Sequence, residues 1–207
     1  ISNFGNGLGP IALAFGVLNL EGATASSLSI VMAAQMLPLA FLMPIGGVLG
    51  DRFPRAMLVG CSDVLLSTLV IGNGISLITG HATVTTMAVI AFLSGTLNAI
   101  WWPAFSGMVP EIVPEEHLQS ANSSVAFVSN TTMIVGTVTG GIIVAAVGSG
   151  WAIIIDGLTF MTAGILVFGL RHHGTTRIND EHSPGVFDDL IHGWKEFVIR
   201  PWVVAVV

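Results

Sequence analysis

Apolar residues fill the chain in long stretches, and charged residues interrupt them at only a few points. Residues 1–20, 22–50, 64–110 and 117–155 contain no Asp, Glu, Lys or Arg. A helix needs about 20 mostly apolar residues to cross the hydrocarbon core of a bilayer. The last two of these stretches are each long enough for two crossings or nearly so. The pattern therefore predicts a helical protein that crosses the membrane several times.

Charged residues, glycines and prolines divide these stretches into six spans and a seventh that only begins. The six predicted spans cover residues 1–20, 27–50, 56–79, 83–109, 117–147 and 151–170. We expect Pro103 to kink or end the regular part of the fourth span, because proline lacks the N–H of a helical hydrogen bond. An acidic turn over residues 110–116 is expected to follow it.

The predicted organisation has three parts. Residues 1–170 form a six-helix transmembrane bundle, and residues 171–195 form a polar central loop. Apolar residues recur at near-helical spacing over 186–198, which predicts a short amphipathic helix on the membrane surface. A seventh apolar segment, 196–207, is cut short, so we expect the chain to be a fragment of a longer protein.

The composition excludes several classes of protein. Only 9% of the residues are charged and the mean hydropathy is +0.85, whereas soluble domains carry roughly 25% charged residues. We therefore exclude a soluble enzyme, a nucleic-acid binder and a disordered chain. The single Cys61 excludes a disulfide framework, and no Cys/His spacing fits a metal site. Phosphate-binding, nucleophile-elbow and metalloprotease motifs are also missing, so we expect neither an enzyme nor a cofactor.

All the Lys and Arg residues fall on one side of the predicted bundle. They lie in the second or sixth connection or at the start of the seventh segment: Arg52, Arg55, Arg171, Arg177, Lys195 and Arg200. Cytoplasmic loops carry an excess of Lys and Arg. We therefore expect a multi-pass protein of the cell (inner) membrane, with its amino terminus and central loop in the cytoplasm.

The strongest local pattern lies between the second and third spans, where GGVLGDRFPR occupies residues 46–55. Gly46 and Gly50 are four residues apart, so they share a helix face on which another helix can pack closely. Asp51 lies at the membrane boundary, where its carboxylate can pair with Arg55 or with a neighbouring helix end. A tight turn whose charges only set the topology explains the pattern equally well.

Gly47, Asp51, Arg52 and Arg55 match the pattern Gly-x-x-x-Asp-Arg-x-x-Arg, and in this the chain resembles the major facilitator superfamily of secondary transporters. The form Asp-Arg-x-Pro-Arg looks like the drug-efflux branch that includes macrolide and siderophore exporters. The resemblance implies an all-α integral membrane fold, in which this chain is the six-helix amino-terminal half of a twelve-helix transporter, truncated in helix seven. It also implies that the matching charged residues form a gating latch between the two halves.

A stretch in the fifth span carries the same resemblance. Residues 136–141, Gly-Thr-Val-Thr-Gly-Gly, are similar to the family's antiporter motif Gly-Pro-x-x-Gly-Gly, with Thr137 in place of the proline. Under this interpretation Gly136, Gly140 and Gly141 allow a kink and close packing against the opposite half. Ordinary packing between neighbouring helices is the alternative, since small residues are common in membrane helices.

Two acidic residues fall inside the predicted spans, Asp63 in the third and Asp156 in the sixth. A charged side chain at the bilayer centre costs about 2.5–3.5 kcal/mol on insertion scales, so each carboxyl group should face protein or water. Either residue is a candidate for binding a coupling proton. A hydrogen-bonded structural carboxyl group is the alternative for both.

Neutral polar and aromatic side chains in the spans are candidates for the wall of a substrate cavity: Asn6, Gln35, Asn98, Trp101 and Asn130. A large, mostly apolar cavity with few polar groups suits amphiphilic drugs or chelates. For each of these residues, an interhelical hydrogen bond or packing against lipid is the alternative.

Together these features predict a secondary active transporter that works by alternating access between two six-helix halves. The resemblance implies export of amphiphilic small molecules, drug-like or siderophore-like, driven by proton antiport. The expected partners are a small-molecule substrate, protons, the lipid bilayer and the missing carboxy-terminal half, and no nucleic acid. The alternatives are a uniporter or importer on the same fold and a membrane receptor that does not transport.

Overall fold

A computed structural model describes residues 2–170, which fold into six long helices. They are α1 (Ser2–Leu18), α2 (Ala25–Arg52), α3 (Arg55–Ile78), α4 (Val84–Ile112), α5 (Leu118–Val147) and α6 (Ser149–Leu170), with a 3-10 turn at Glu115–His117 before α5. No strand occurs in this part of the chain. The all-α fold class is therefore confirmed. The predicted loop 171–195 and the segments 186–198 and 196–207 lie outside the described residues.

Five of these helices, α2 to α6, are long and apolar enough to cross a membrane. The shortest helix is α1, with 17 residues. Three of the connecting turns contain a glycine with positive φ: Gly22 at 71°, Gly80 at 73° and Gly148 at 91°. Glycine adopts this conformation without the steric clash that a Cβ would cause. Each helix begins and ends within a few residues of the span that the sequence predicts for it.

The fourth helix extends beyond the predicted span. It continues through Pro103 and Pro110 to Ile112, so neither proline ends the helix, and the turn before α5 is shorter than predicted. Pro103 leaves the carbonyl of Ala99 without its helical N–H partner. That carbonyl faces Gly46 of α2, where no Cβ stands in the way. The missing side chain of Gly46 therefore lets α2 approach α4 closely at this carbonyl.

The helices pack on one another in a clear order. α2 packs on α4, α4 on α3, α3 on α6, α6 on α1 and α1 on α5, whereas few contacts join α1 to α2 or α4 to α5. The pairs α1–α5 and α2–α4 therefore form two arms, and α3 and α6 hold the arms together. Because α2 and α5 lie at the ends of this series, they have the least buried surface.

The same contacts show an internal repeat of three helices. Exchanging α1, α2 and α3 for α4, α5 and α6 turns the pair α1–α5 into α4–α2 and the pair α1–α6 into α4–α3. The pair α3–α6 is exchanged with itself, so every major contact has its counterpart. α1 and α4 run in opposite directions, since three helices and three turns bring the chain from one to the other. The bundle thus consists of two inverted three-helix units.

Apolar side chains and glycines fill the places where the helices meet. The buried apolar side chains form three clusters: Leu8, Ala12, Ala152 and Ile153; Val17, Val31, Met87 and Ala91; and Val59, Trp101 and Ala104. Between these clusters, glycines let one backbone approach the next, as is common where membrane helices associate.

Candidate gating and transport site

The turn between α2 and α3 carries an ion-pair cluster centred on Arg55. Its Nη2 lies 3.0 Å from Oδ1 of Asp51, and its Nε lies 3.3 Å from Oε1 of Glu111 at the end of α4. The Nε also donates to the backbone carbonyl of Gly50 at 3.3 Å. One guanidinium group therefore joins the end of α2, the start of α3 and the end of α4.

Local backbone geometry brings Arg55 to these partners. α2 ends at Arg52, Phe53 follows in extended conformation, and Pro54 immediately precedes the first turn of α3. The guanidinium group then lies over Gly107 of α4, at a point where a Cβ would overlap it. Glycine at position 107 leaves the space through which Arg55 reaches Glu111.

The cluster is partly open to water. The exposed fraction of the side chain is 23% for Arg55, 46% for Glu111 and 75% for Asp51. Exposed ion pairs contribute about 0.2–1 kcal/mol each, so the cluster adds little to the stability of the bundle. Contacts of this strength can form and break during a conformational change. Arg52, the remaining charged residue of the motif, also interacts with its surroundings.

The glycines that precede the turn divide into two sets. A Cβ on Gly46 would overlap the carbonyl of Ala99 on α4, and one on Gly50 would lie 3.7 Å from Cα of Ala104. The prediction that Gly46 and Gly50 share a face for close helix packing is confirmed. Gly47 has no neighbour within 4 Å, so its side of α2 is open in this bundle.

Two of the three glycines predicted on α5 pack within the bundle. A Cβ on Gly136 would overlap the carbonyl of Phe4, and one on Gly140 would lie 3.0 Å from Cα of Leu8, both on α1. The structure places these two glycines against α1, which is the alternative of ordinary packing between neighbouring helices. Gly141 has no neighbour within 4 Å and is the one member of the motif that stays open in the described bundle.

Asp63 is buried where α3, α4 and α6 meet, with 2% of its surface exposed. A Cβ on Gly164 of α6 would lie 3.1 Å from its Cβ, and the indole of Trp101 on α4 lies beside its carboxyl group. Within residues 2–170, neither Oδ1 of Asp63 nor Nε1 of Trp101 makes a hydrogen bond. Trp101 is itself buried and stacks on Phe105, with ring centroids 4.7 Å apart. In this bundle the face of α4 that carries Trp101 packs on α3.

Asp156 is buried where α6 meets α1, with 6% of its surface exposed. Its carboxyl oxygens lie against Gly5 and Gly9 of α1. Its Oδ1 has no hydrogen-bond partner among the described residues. Asp156 and Asp63 both face protein, as the cost of placing charge in lipid requires.

The four amide residues expected in a cavity wall lie on the two arms. Asn6 is half-buried on α1, and Asn130 is exposed on α5. Gln35 on α2 and Asn98 on α4 are both half-buried. The side-chain amides of Asn98 and Asn130 each donate to a carbonyl of their own helix. Each arm therefore carries two of the amides, one per helix.

A cavity of about 780 Å³ lies at the end of the bundle opposite Arg55. The turns α1–α2, α3–α4 and α5–α6 surround it, and Asn19, Glu21 and Trp151 are among its lining residues. None of the expected cavity residues lines it, so it is a depression among the turns and not the predicted substrate site. Within residues 2–170, no three His, Cys, Asp or Glu side chains lie together so as to hold a metal ion.

Four residues at these sites are not predicted from the sequence. Glu111 and Gly107 complete the surroundings of Arg55, and Gly5 and Gly9 receive Asp156. The charge of Glu111 at the end of the fourth span was a usable signal, because it falls on the same side of the bundle as Arg55. The glycines carry no such signal, since 25 of the 207 residues are glycine.

The sequence has relatives among known proteins. The family model described as Major Facilitator Superfamily matches residues 1–207. The chain belongs to the major facilitator superfamily. It is 26% identical to the uncharacterized MFS-type transporter YkuC of Bacillus subtilis, over 82% of this chain and 39% of that protein. It is 28% identical to the multidrug efflux pump Tap of Mycobacterium tuberculosis, over 95% of this chain and 49% of that protein.

A further relative, the uncharacterized MFS-type transporter YfiS of Bacillus subtilis, is 27% identical over 72% of this chain and 34% of its own length. The chain thus spans about half or less of the length of these curated relatives. The family recognised from Gly47, Asp51, Arg52 and Arg55 is confirmed. A multi-pass membrane protein agrees with both the superfamily and the five apolar helices.

Proposed function

We propose that the chain is the amino-terminal half of a secondary active transporter that exports amphiphilic small molecules in exchange for protons. The observation that carries this proposal is the ion-pair cluster of Arg55 with Asp51 and Glu111 at one end of the two arms. Membership of the major facilitator superfamily supports it, as does the similarity to Tap, which is named a multidrug efflux pump.

Arg55 and its partners act as a gate at the cytoplasmic end. Arg55 holds the α2–α3 turn against the end of α4, so the turn moves with the α2–α4 arm. Oδ1 of Asp51 accepts a hydrogen bond from Arg55, and the side chain of Asp51 is 75% exposed. Its other carboxyl oxygen is therefore open to a hydrogen-bond donor on the opposite half. Forming that contact closes the cytoplasmic end, and breaking it opens the end. The low energy of exposed ion pairs keeps both states within reach.

The surface of the arms suits an amphiphilic substrate. Large apolar side chains are exposed on α2 and α5, among them Met32, Met36, Phe41, Phe127, Ile134 and Val138. Gln35 and Asn130 supply amide groups on the same two helices. Binding sites for such molecules combine many apolar contacts with a few polar groups, and methionine adapts to ligands of different shape.

The end of the bundle that carries Arg55 faces the cytoplasm in this proposal. Arg52 and Arg55 lie there, whereas the opposite end carries Glu21 and His81 in its turns. The excess of basic residues on cytoplasmic loops supports this orientation. The amino terminus of α1 then also faces the cytoplasm, in an inner-membrane protein.

The test is transport by the complete protein in proteoliposomes, with ethidium and a macrolide as probes. An imposed pH gradient should drive uphill movement of a probe, and an ionophore that collapses the gradient should abolish it. Arg55→Ala should slow this flux, whereas Gly72→Ala, at a position with no neighbour within 4 Å, should not. Probe binding without flux would replace the proposal by a receptor. Flux that ignores the pH gradient would replace it by a uniporter.

A further inference from the structure

We propose that Asp156 binds the coupling proton in a notch on α1 formed by Gly5 and Gly9, and that its protonation controls the position of α1. This inference rests on the proposed function, because it names the group that couples protons to transport. Of the two buried carboxyl groups, Asp63 and Asp156, it assigns the coupling proton to Asp156 and links the protonation of Asp156 to a movement of α1.

The notch is shaped to receive a carboxyl group. Gly5 and Gly9 are four residues apart and therefore lie on one face of α1. A Cβ on Gly9 would lie 2.7 Å from Oδ2 of Asp156, and one on Gly5 would overlap Oδ1 of Asp156 and the hydroxyl of Thr159. Any larger residue at either position would fill the space that the carboxyl group occupies.

No opposite charge faces Asp156 within residues 2–170. The neighbouring helices α1 and α5 contain no titratable side chain, and α3 contains only Arg55, Cys61 and Asp63. Asp63 packs on Gly164, eight residues further along α6 than Asp156, and therefore lies about 12 Å from it along the helix axis. Arg55 is further away still, at the start of α3.

The notch accommodates the neutral carboxylic acid better than the carboxylate. Asp156 is buried, and its Oδ1 has no hydrogen-bond partner in the described part of the chain. Burying an ionised group without a counter-charge or hydrogen bonds is strongly unfavourable. Loss of the proton therefore favours an arrangement in which α1 moves away and water reaches the carboxyl group.

The part of α1 that receives Asp156 is easily deformed. Gly5, Gly7 and Gly9 fall within five residues, and Pro10 follows them directly. Glycine and proline are the weakest helix formers, and Pro10 leaves the carbonyl of Asn6 without its helical partner. Asn6, a candidate for the cavity wall, lies between the two glycines of the notch. A shift of this segment therefore moves a cavity residue.

The internal repeat distinguishes Asp156 from Asp63. Asp63 lies eight residues after the start of α3 and Asp156 lies seven after the start of α6, so the exchange of the two units places them at matching positions. The helix facing Asp63 presents Trp101, a large side chain held in the core by stacking, whereas the helix facing Asp156 presents glycines. Only the Asp156 site lies against a segment that can yield.

The first test measures proton binding by the complete protein in lipid vesicles and needs no substrate. Infrared difference spectra between acidic and alkaline buffer should contain the carbonyl band of a protonated carboxyl group that titrates. Asp156→Asn should remove one titrating component of this band, and Asp63→Asn, the matched change in the other unit, should leave that component in place. A band that Asp156→Asn leaves unchanged, or the absence of any titrating band, would overturn the proposal.

The second test follows α1. In a variant whose cysteines, Cys61 included, are replaced by serine, Asn6→Cys introduces a thiol beside the notch. Its rate of labelling by a maleimide should change between the two buffers by about fivefold or more, the lower end of typical coupling between sites. Asp156→Asn and Gly9→Ala should each abolish this change, and Gly72→Ala, at an open position on α3, should preserve it.

A labelling rate that ignores pH, or one whose pH dependence survives Asp156→Asn, would overturn control of α1 by Asp156. Both tests are independent of transport. If the probes are not transported while Asp156 still titrates and moves α1, the proposed function fails and the assignment of the proton site holds. If transport is coupled to protons and Asp156→Asn changes neither measurement, the assignment fails alone.

Discussion

Gly46 and Gly47 are adjacent in the sequence, but alanine should have different consequences at the two positions. A Cβ on Gly46 would overlap the carbonyl oxygen of Ala99 and lie 2.8 Å from its carbonyl carbon and 3.0 Å from Cα of Ile100. Carbon atoms in contact are normally about 3.5–4.0 Å apart. To admit the methyl group, α2 and α4 must therefore separate by about 1 Å at this point.

A gap of that size removes roughly a quarter to a half of the dispersion energy of the atoms that face each other across it. Overpacking of a well-packed interior costs about 1–3 kcal/mol, so we expect Gly46→Ala to lower the free energy of unfolding by about that amount. Gly47 has no neighbour within 4 Å, and Gly47→Ala should change this free energy by less than about 0.5 kcal/mol.

The assay is unfolding of the purified complete protein by SDS in mixed micelles, followed by tryptophan fluorescence. Gly46→Ala should unfold at a lower SDS fraction than the wild type, and Gly47→Ala at the same fraction. Equal midpoints for the two variants would refute the close approach of α2 and α4. Gly47→Ala should instead slow transport, because Gly47 belongs to the gating motif and we expect the open side of α2 that carries it to lie against the opposite half.

Three further predictions follow from single contacts. Gly107→Ala should push the guanidinium group of Arg55 away from Glu111 and slow probe flux as Glu111→Gln does. The loss of stability should stay below about 1 kcal/mol, because the ion pair is exposed. A flux equal to that of Gly72→Ala would contradict this prediction. Thr83→Ala should lower the free energy of unfolding by about 0.5–2 kcal/mol, because it removes the capping box with Thr86 at the start of α4. The measurement is SDS unfolding, with Thr85→Ala as the control. A loss of stability no greater than that of Thr85→Ala would count against the prediction. Gly9→Ala should destabilise the wild-type protein. It should not destabilise the Asp156→Ala variant, because that variant lacks the carboxyl group that the new methyl group would overlap. Equal losses of stability in both backgrounds would show that the notch is not filled by Asp156.

The apolar pattern is sufficient to predict the helices, because length and charge decide what can cross a bilayer. It is not sufficient at Pro103, where the missing hydrogen bond led us to expect a kink or an end of the helix and the helix continues to Ile112. The contact between the freed carbonyl of Ala99 and Gly46 is a property of two helices together. No feature of the fourth span alone indicates it.

The site was predictable where a residue's partner lies close in the sequence. Asp51 and Arg55 are four residues apart, and they pair as expected. The face that a helix turns inward depends on its neighbours, and for this reason Trp101 packs in the core although it is an aromatic residue within a span. The same dependence hides Gly5 and Gly9 until α1 is placed against α6.

The gate is tested most directly by a double-mutant cycle on Arg55 and Glu111, with pH-driven probe flux by the complete protein in proteoliposomes as the measured quantity. Arg55→Ala and Glu111→Gln should each slow the flux. The double variant should be no slower than Arg55→Ala alone, because changes that remove one shared contact are not additive. Losses that multiply in the double variant, or flux that neither change affects, would contradict a gate built on this contact.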